Sequence, residues 1–188
     1  MTQTKNLAGQ LLLAMPSIDD RRFENAIIYL HEHSAEGAMG FVINQQAEDI
    51  TLADILESLN LPDATDNRLD PVYIGGPVDT GRGFVLHDCS YKSDMTVFSP
   101  HGEIGVTATL DVLEVISSRH PLENAITLLG YSGWGAGQLE QELQENVWLV
   151  CPFNFDLIFT ITAEKKYQAA MALMGIDPGM LSCDQGSA

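Results

Sequence analysis

Residues 25–44 read NAIIYLHEHSAEGAMGFVIN: two apolar, β-branched halves either side of a polar Ser34–Gly37 turn. Asn25–His33 has the Ile, Tyr and Leu content of a strand, and Met39–Asn44 that of a strand returning beside it. The spacing predicts a β-hairpin with a four- or five-residue loop. Two strands joined directly exclude strict β-α alternation, and the rest of the chain is read outward from that.

Upstream, Leu11–Met15 (LLLAM) predicts a short buried strand stopped by Pro16. Downstream, Thr51 opens TLADILESLN, where Thr51 and Asp54 have capping-box spacing and Leu52, Ile55, Leu56 and Leu59 share a face. Leu61–Pro71 is rich in turn formers and reads as a loop. Strands are expected at Pro71–Ile74, Gly83–His87, Ile104–Thr107, Ala125–Tyr131, Trp148–Val150 and Asp156–Thr162. Helices are expected from Thr109 or Asp111 to Ser118, over Gln138–Glu145, and over Ala163–Met174, where Gly175 ends the last one. Hairpin-like groups mixed with helices point to an α+β fold with a mainly antiparallel or mixed sheet. A doubly wound α/β sheet is the alternative. With no repeat and no long linker, residues 1–188 read as a single domain with a frayed tail from Gly179.

The 188 residues contain 9 Lys+Arg and 26 Asp+Glu, for a net charge of −17. The acidity is even: residues 1–94 hold 6 basic and 15 acidic side chains, residues 95–188 hold 3 and 11. Duplex DNA and RNA attract proteins through Lys and Arg on phosphates, so this balance weighs against direct nucleic-acid binding and, less strongly, against an anionic membrane. An acidic face for a basic partner and a merely solvated surface are both open readings. Cys89, Cys151 and Cys183 are an odd set without CxxC spacing, as in reduced thiols of a cytoplasm. A signal peptide is not expected, and no run approaches ~18 apolar residues. The expected location is cytoplasmic.

Chemistry is sparsely marked. Gly130–Gly137 (GYSGWGAG) lies between an expected strand and helix, where glycines let a backbone approach closely. It has neither the Lys-Ser/Thr of a P-loop nor dinucleotide-fingerprint spacing. Ser132 falls short of a nucleophile elbow because Trp134 stands where the second Gly belongs. Gly75-Gly76-Pro77 and Gly81-Arg82-Gly83 form a second glycine-rich region around one arginine. Arg82 has two readings: a fork for a carboxylate or phosphate, or an internal pair with Asp79 or Asp88. His31 and His33 are two apart, which on a regular strand puts both on one face, although no third metal ligand is marked. His87-Asp88-Cys89 is the one compact polar group. Gly130–Gly137 is expected to be a tight strand-to-helix connection that brings Trp134 near the Gly75–Arg82 turn. Gly75, Gly76, Arg82, Tyr131, Trp134 and Gln138 are then the candidate ligand-binding set. No catalytic residue, metal or cofactor is assigned.

Six blocks in order carry a resemblance: LLLAMP at Leu11–Pro16, IIYLHEHSAEGAMGFVIN at Ile27–Asn44, GGPV at Gly75–Val78, RGFVLH at Arg82–His87, LGYSGWGAGQLEQEL at Leu129–Leu143, and NVWL at Asn146–Leu149. Together they are similar to the bacterial YqgE/AlgH family, also called UPF0301 or DUF179, over Leu7 to about Ile176. The resemblance implies a compact α+β fold, with a curved, barrel-like sheet surrounded by helices, in a largely uncharacterised cytoplasmic protein. It also brings a label of transcriptional regulator, linked in part of the family to alginate production, and no catalytic residue set. Where members often end Gly-His-Ala, this chain ends Gly186-Ser187-Ala188. Nine dispersed cations and no basic recognition helix suit indirect regulation better than DNA reading. The expectation is a non-enzymatic binding or regulatory protein for a small molecule or protein partner. An enzyme with an unrecognised small-molecule site is the alternative. The oligomeric state is not legible.

Overall fold

The structure, a computed structural model, describes residues 6–62 and 70–176. Its strands are β1 (Leu11–Ala14), β2 (Ile27–Ser34), β3 (Gly37–Val42), β4 (Gln46–Thr51), β5 (Pro71–Ile74), β6 (Val78–Asp88), β7 (Val97–Phe98), β8 (Ile104–Thr107), β9 (Ala125–Gly135) and β10 (Trp148–Cys151). Its helices are α1 (Leu52–Ser58), α2 (Leu110–Ile116), α3 (Gln138–Gln144), α4 (Phe155–Phe159) and α5 (Ala163–Leu173). The strands run in the order β10-β1-β2-β3-β9-β6-β8-β7, with β5 added on β9 and β4 on β5. All pairs are antiparallel except β5 with β9. The sheet curls into a half-barrel, so the α+β expectation and the curved sheet hold.

Alternation along the strands sorts the apolar side chains onto two faces. Leu11, Leu13, Ile27, Tyr29, Phe41 and Ile43 form one cluster with Leu157, Ile158, Ala170 and Met171. The concave face is therefore filled by α4 and α5. Leu12, Ala14, Ile28, Leu30 and Val42 point the other way, against Leu139 of α3, Trp134 and Trp148. A third cluster, including Val72, Val85 and Leu129, lies under Leu52 and Leu56 of α1 and Val112 and Ile116 of α2. Each fully buried aliphatic side chain contributes roughly 1.5–3 kcal/mol, so burial on both faces is the main force holding the layers together.

Local signals hold in several places. Thr51 Oγ1 accepts from Asp54 N–H while the Asp54 carboxylate accepts from Thr51 N–H, the expected capping box. Gly175 sits at φ 69 after α5, with Ile176 N–H on Met171 O and Gly175 N–H on Ala172 O, a Schellman-type stop.

Three expectations are corrected. The β2–β3 loop is two residues, Ala35 and Glu36, because Ser34 pairs Gly37; Gly37 at φ 142 admits the tight turn. Residues 156–162 are not a strand: Asn154 Oδ1 caps Leu157 N–H at 2.9 Å and starts α4, whose Leu157 and Ile158 plug the concave face. Gly130–Gly137 is not a tight connection: β9 continues through Gly135 and pairs β3 residue for residue, Gly37 with Gly135 through Gly40 with Ser132. The ladder recruits these glycines because the backbone hydrogen bonds of β3 need a partner there. The expected tail from Gly179 and most of the Leu61–Pro71 loop lie outside the described residues.

Candidate functional site

The six candidate residues fall on two sides of the sheet. Gly130, at φ 69, interrupts β9. Before it, Leu128 faces the concave cluster and Leu129 the α1–α2 cluster; after it, Tyr131 packs on the concave cluster and Trp134 on the α3 side. This is a bulge that reverses the facing of the strand. Tyr131 meets Phe84 edge to face at 6.0 Å, and Arg82 stacks over Phe84 at 5.0 Å, with no ion pair to Asp79 or Asp88. Trp134 and Gln138 belong to the opposite face: Gln138 Oε1 accepts from Gly135 N–H at 3.0 Å, and its Nε2 donates to Glu142 at 2.8 Å. Trp134 lines a concavity with Pro77 of the Gly75–Arg82 turn, while Arg82 itself lies over Phe84.

Gly75 and Gly76 lie against Gly130 and Tyr131 as a backbone crossing. A Cβ on Gly75 would come 2.3 Å from Gly130 O, and one on Gly76 would come 2.3 Å from Tyr131 O. The chain itself occupies the Cβ positions of these glycines, while a concavity of ≈ 430 Å³ stays open beside Pro77, Trp134 and Gln138. Ser132 is buried and donates to Gly75 O at 3.3 Å, which is a structural role.

The histidines separate as well. Ladder register shifts between Leu30 and Glu32, so His31 is the extra residue of a bulge. His31 lies among the rings of Tyr29 and Phe41 on the concave side. His33 turns to the α3 side, where Leu7 N–H donates to Nδ1 at 3.0 Å and Nε2 therefore donates to Glu140 at 2.9 Å. No metal pair forms. Burial pushes the His31 pKa down to about 4, and its Nδ1 has no partner. His87 is fully buried and Cys89 exposed, so they are no nucleophile pair. Instead His87 Nδ1–H donates to Asp88 O at 2.8 Å, and Nε2 accepts from the Thr107 hydroxyl at 2.9 Å. Thr107 Oγ1 also sits 2.7 Å from Thr96 Oγ1. Among the described residues no group of three or more His, Cys, Asp or Glu is placed to hold a metal ion.

Other concavities open on the surface of the described residues. A wide cleft of ≈ 810 Å³ lies between the β2–β3 hairpin and Val97, Phe98 and Pro100. It is open and rimmed by Glu32 and Glu36. A narrower groove of ≈ 420 Å³ lies between α1 and α2, over β6 and β9. Its walls are Ile50, Ile55, Leu59, Leu110, Val112 and Leu113, and its floor includes Gly81, Gly83, Val85, Thr107, Thr127 and Leu129. None of the described lining residues carries an ionisable side chain. The narrower site is the better candidate, because small-molecule sites are mostly apolar with a few polar groups.

Sequence reading missed four positions. Thr107 and Thr127 lie on strands where nothing in the local pattern separates a packed Thr from a groove Thr. Gly83 was read as flanking an arginine, whereas it floors the groove. Lys166 carried a signal: it shares a helical face with Ala163 and Ala170 in an apolar stripe. It is buried, donating to Ile43 O at 2.9 Å and Ile158 O at 2.7 Å, and burial pulls its pKa down to about 8.

A family model described as DUF179, AlgH-like, matches residues 11–179. A UPF0301 protein of Azorhizobium caulinodans is 46% identical over 189 residues, covering 97% of this chain and 92% of that protein. One of Rhodospirillum rubrum is 48% identical over 185 residues, covering 97% and 94%. The solution structure of the AlgH protein from Pseudomonas aeruginosa superposes with a TM-score of 0.79 at 38% identity, covering 100% of both chains. A Corynebacterium diphtheriae protein at 19% identity shares the fold, with a TM-score of 0.72 over 96% of this chain and 92% of that one.

Proposed function

The chain belongs to the AlgH-like DUF179 family, and from that premise we propose that it is a non-enzymatic binding protein that acts indirectly, as a cytoplasmic regulator responding to a bound ligand or partner. The α1–α2 groove carries this reading: a concave, apolar site with no acid, base or thiol among its described lining residues. Such a site supplies binding energy without proton transfer or nucleophilic attack. Direct duplex recognition is not part of it. Lys166 is spent on two carbonyls, and Arg82 on Phe84. No described helix is long and apolar enough to cross a membrane.

The enzymatic alternative has one supporting observation, the Asp88 O–His87–Thr107 chain, which has the connectivity of orienter, base and nucleophile. Thr107 is fully buried, and its oxygen is also engaged by Thr96, so a substrate carbonyl has no approach. The binding reading is tested by native purification and mass spectrometry of what co-purifies, with hydrolase and transferase screens in parallel. A stoichiometric small molecule or a specific partner is expected. Turnover that Thr107→Val abolishes, in a variant that still folds, would replace this reading with the enzymatic one.

A further inference from the structure

We infer that the α1–α2 groove is a site for one uncharged, predominantly apolar small molecule, oriented by the Thr127 hydroxyl; this rests on the binding-protein reading above. The first observation is the glycine floor. A Cβ on Gly75, Gly76, Gly105 or Gly130 would strike a neighbour below 3 Å, so packing accounts for those glycines. At Gly81 and Gly83 a Cβ would meet nothing within 4 Å, and neither has a left-handed φ. An added Cβ meets open space there, and glycine in a strand costs roughly 0.5–1 kcal/mol relative to Ala. What a side chain would take away is groove volume.

The second observation is Thr127. The register aligns Val72, Thr127, Val85 and Thr107 in one row across β5, β9, β6 and β8. Thr107 is committed to His87. Ser58 and Thr109 donate locally, to Ile55 O and to the Asp111 carboxylate, and Thr80, also in the lining, is exposed to solvent. Thr127 is 7% exposed, lines the groove, and makes no side-chain hydrogen bond to any described residue. Its hydroxyl opens into the groove and offers one donor and two acceptor positions to an occupant. The absence of any charged side chain among the described lining residues sets the ligand's charge. An ion taken into this groove would lose its hydration with no counter-ion to replace it. At ≈ 420 Å³ the space falls within the range of drug-sized sites.

The test uses the intact protein and Nile red, a neutral apolar fluorophore, followed by fluorescence titration and urea unfolding. Wild type is expected to bind saturably at one site. Gly83→Val should weaken binding at least about tenfold with an unchanged or higher urea midpoint, since the added side chain meets open space. Thr127→Val, which keeps the shape and removes the hydroxyl, should fold normally and shift the bound emission or weaken affinity several-fold. Undiminished binding in Gly83→Val, or identical emission and affinity in Thr127→Val, overturns the assignment to this groove. Absence of saturable binding by wild type overturns it too. The broader binding reading then stands or falls separately on the co-purification result.

Discussion

The indole of Trp134 meets that of Trp148 edge to face, with centroids 5.9 Å apart, and both N–H groups donate to a single oxygen, Glu142 Oε2, at 2.8 and 2.6 Å. One carboxylate on α3 thus joins β9 to β10 across the outer face of the sheet. Its other oxygen accepts from Gln138, four residues earlier on the same helix.

Glu142→Leu should cost ~2–4 kcal/mol, because it leaves two largely buried indole N–H groups without an acceptor. Glu142→Gln should cost less, since an amide oxygen still accepts. Urea unfolding followed by tryptophan fluorescence gives both values. A Leu variant as stable as wild type would show that these bonds contribute nothing net.

Gly76→Ala should prevent folding or cost more than ~3 kcal/mol. The new Cβ would fall 2.3 Å from Tyr131 C and O, in a backbone at φ 155. Gly81→Ala should be neutral or slightly stabilising. Thermal melts of the pair separate crossing glycines from groove glycines, and equal losses in both would contradict the geometry.

His31 should give acid sensitivity. Its folded-state pKa is lowered to about 4 from 6.5 by burial, so the unfolded chain takes up the proton first as pH falls. The stability it contributes is complete above 6.5 and is lost between 6.5 and 4, roughly 3 kcal/mol over that window. His31→Phe, packed among Tyr29 and Phe41, should lose correspondingly less between pH 7 and 4 in urea titrations. Parallel pH curves for the two proteins would rule this out.

Lys166 acts in the alkaline range. Its pKa is lowered from 10.5 to about 8, so the unfolded chain holds a proton that the folded protein releases. That contribution is complete above 10.5 and is lost as pH falls through 8, roughly 2–3 kcal/mol. Relative to Lys166→Met, wild type should therefore gain stability from pH 8 to 10.5. A constant difference between the two across that range would mean that burial does not shift the lysine.

Much of the candidate site was hidden for a physical reason. Glu142 appears in sequence as one acid of a polar run, QLEQELQE, and nothing local says that two indoles converge on it. Gly81 and Gly83 look like Gly75 and Gly76 until the neighbouring strands are in place, because the difference is what lies above the missing Cβ. His31 and His33 have strand spacing, and a single extra residue at the bulge sends them to opposite faces.

The sequence by itself determined what short-range chemistry decides. The hairpin at Ile27–Val42, the Thr51–Asp54 cap, the stop at Gly175 and the α+β class follow from side-chain period, capping groups and glycine, all acting within a few residues. Tertiary structure decided everything that depends on a neighbour distant in the chain. Gly130–Gly135 became a strand because β3 offered a ladder to pair with, and Phe155–Phe159 became a helix seated in the concave face. The groove exists because α1 and α2, joined by half the sheet, leave Gly83 and Thr127 uncovered between them.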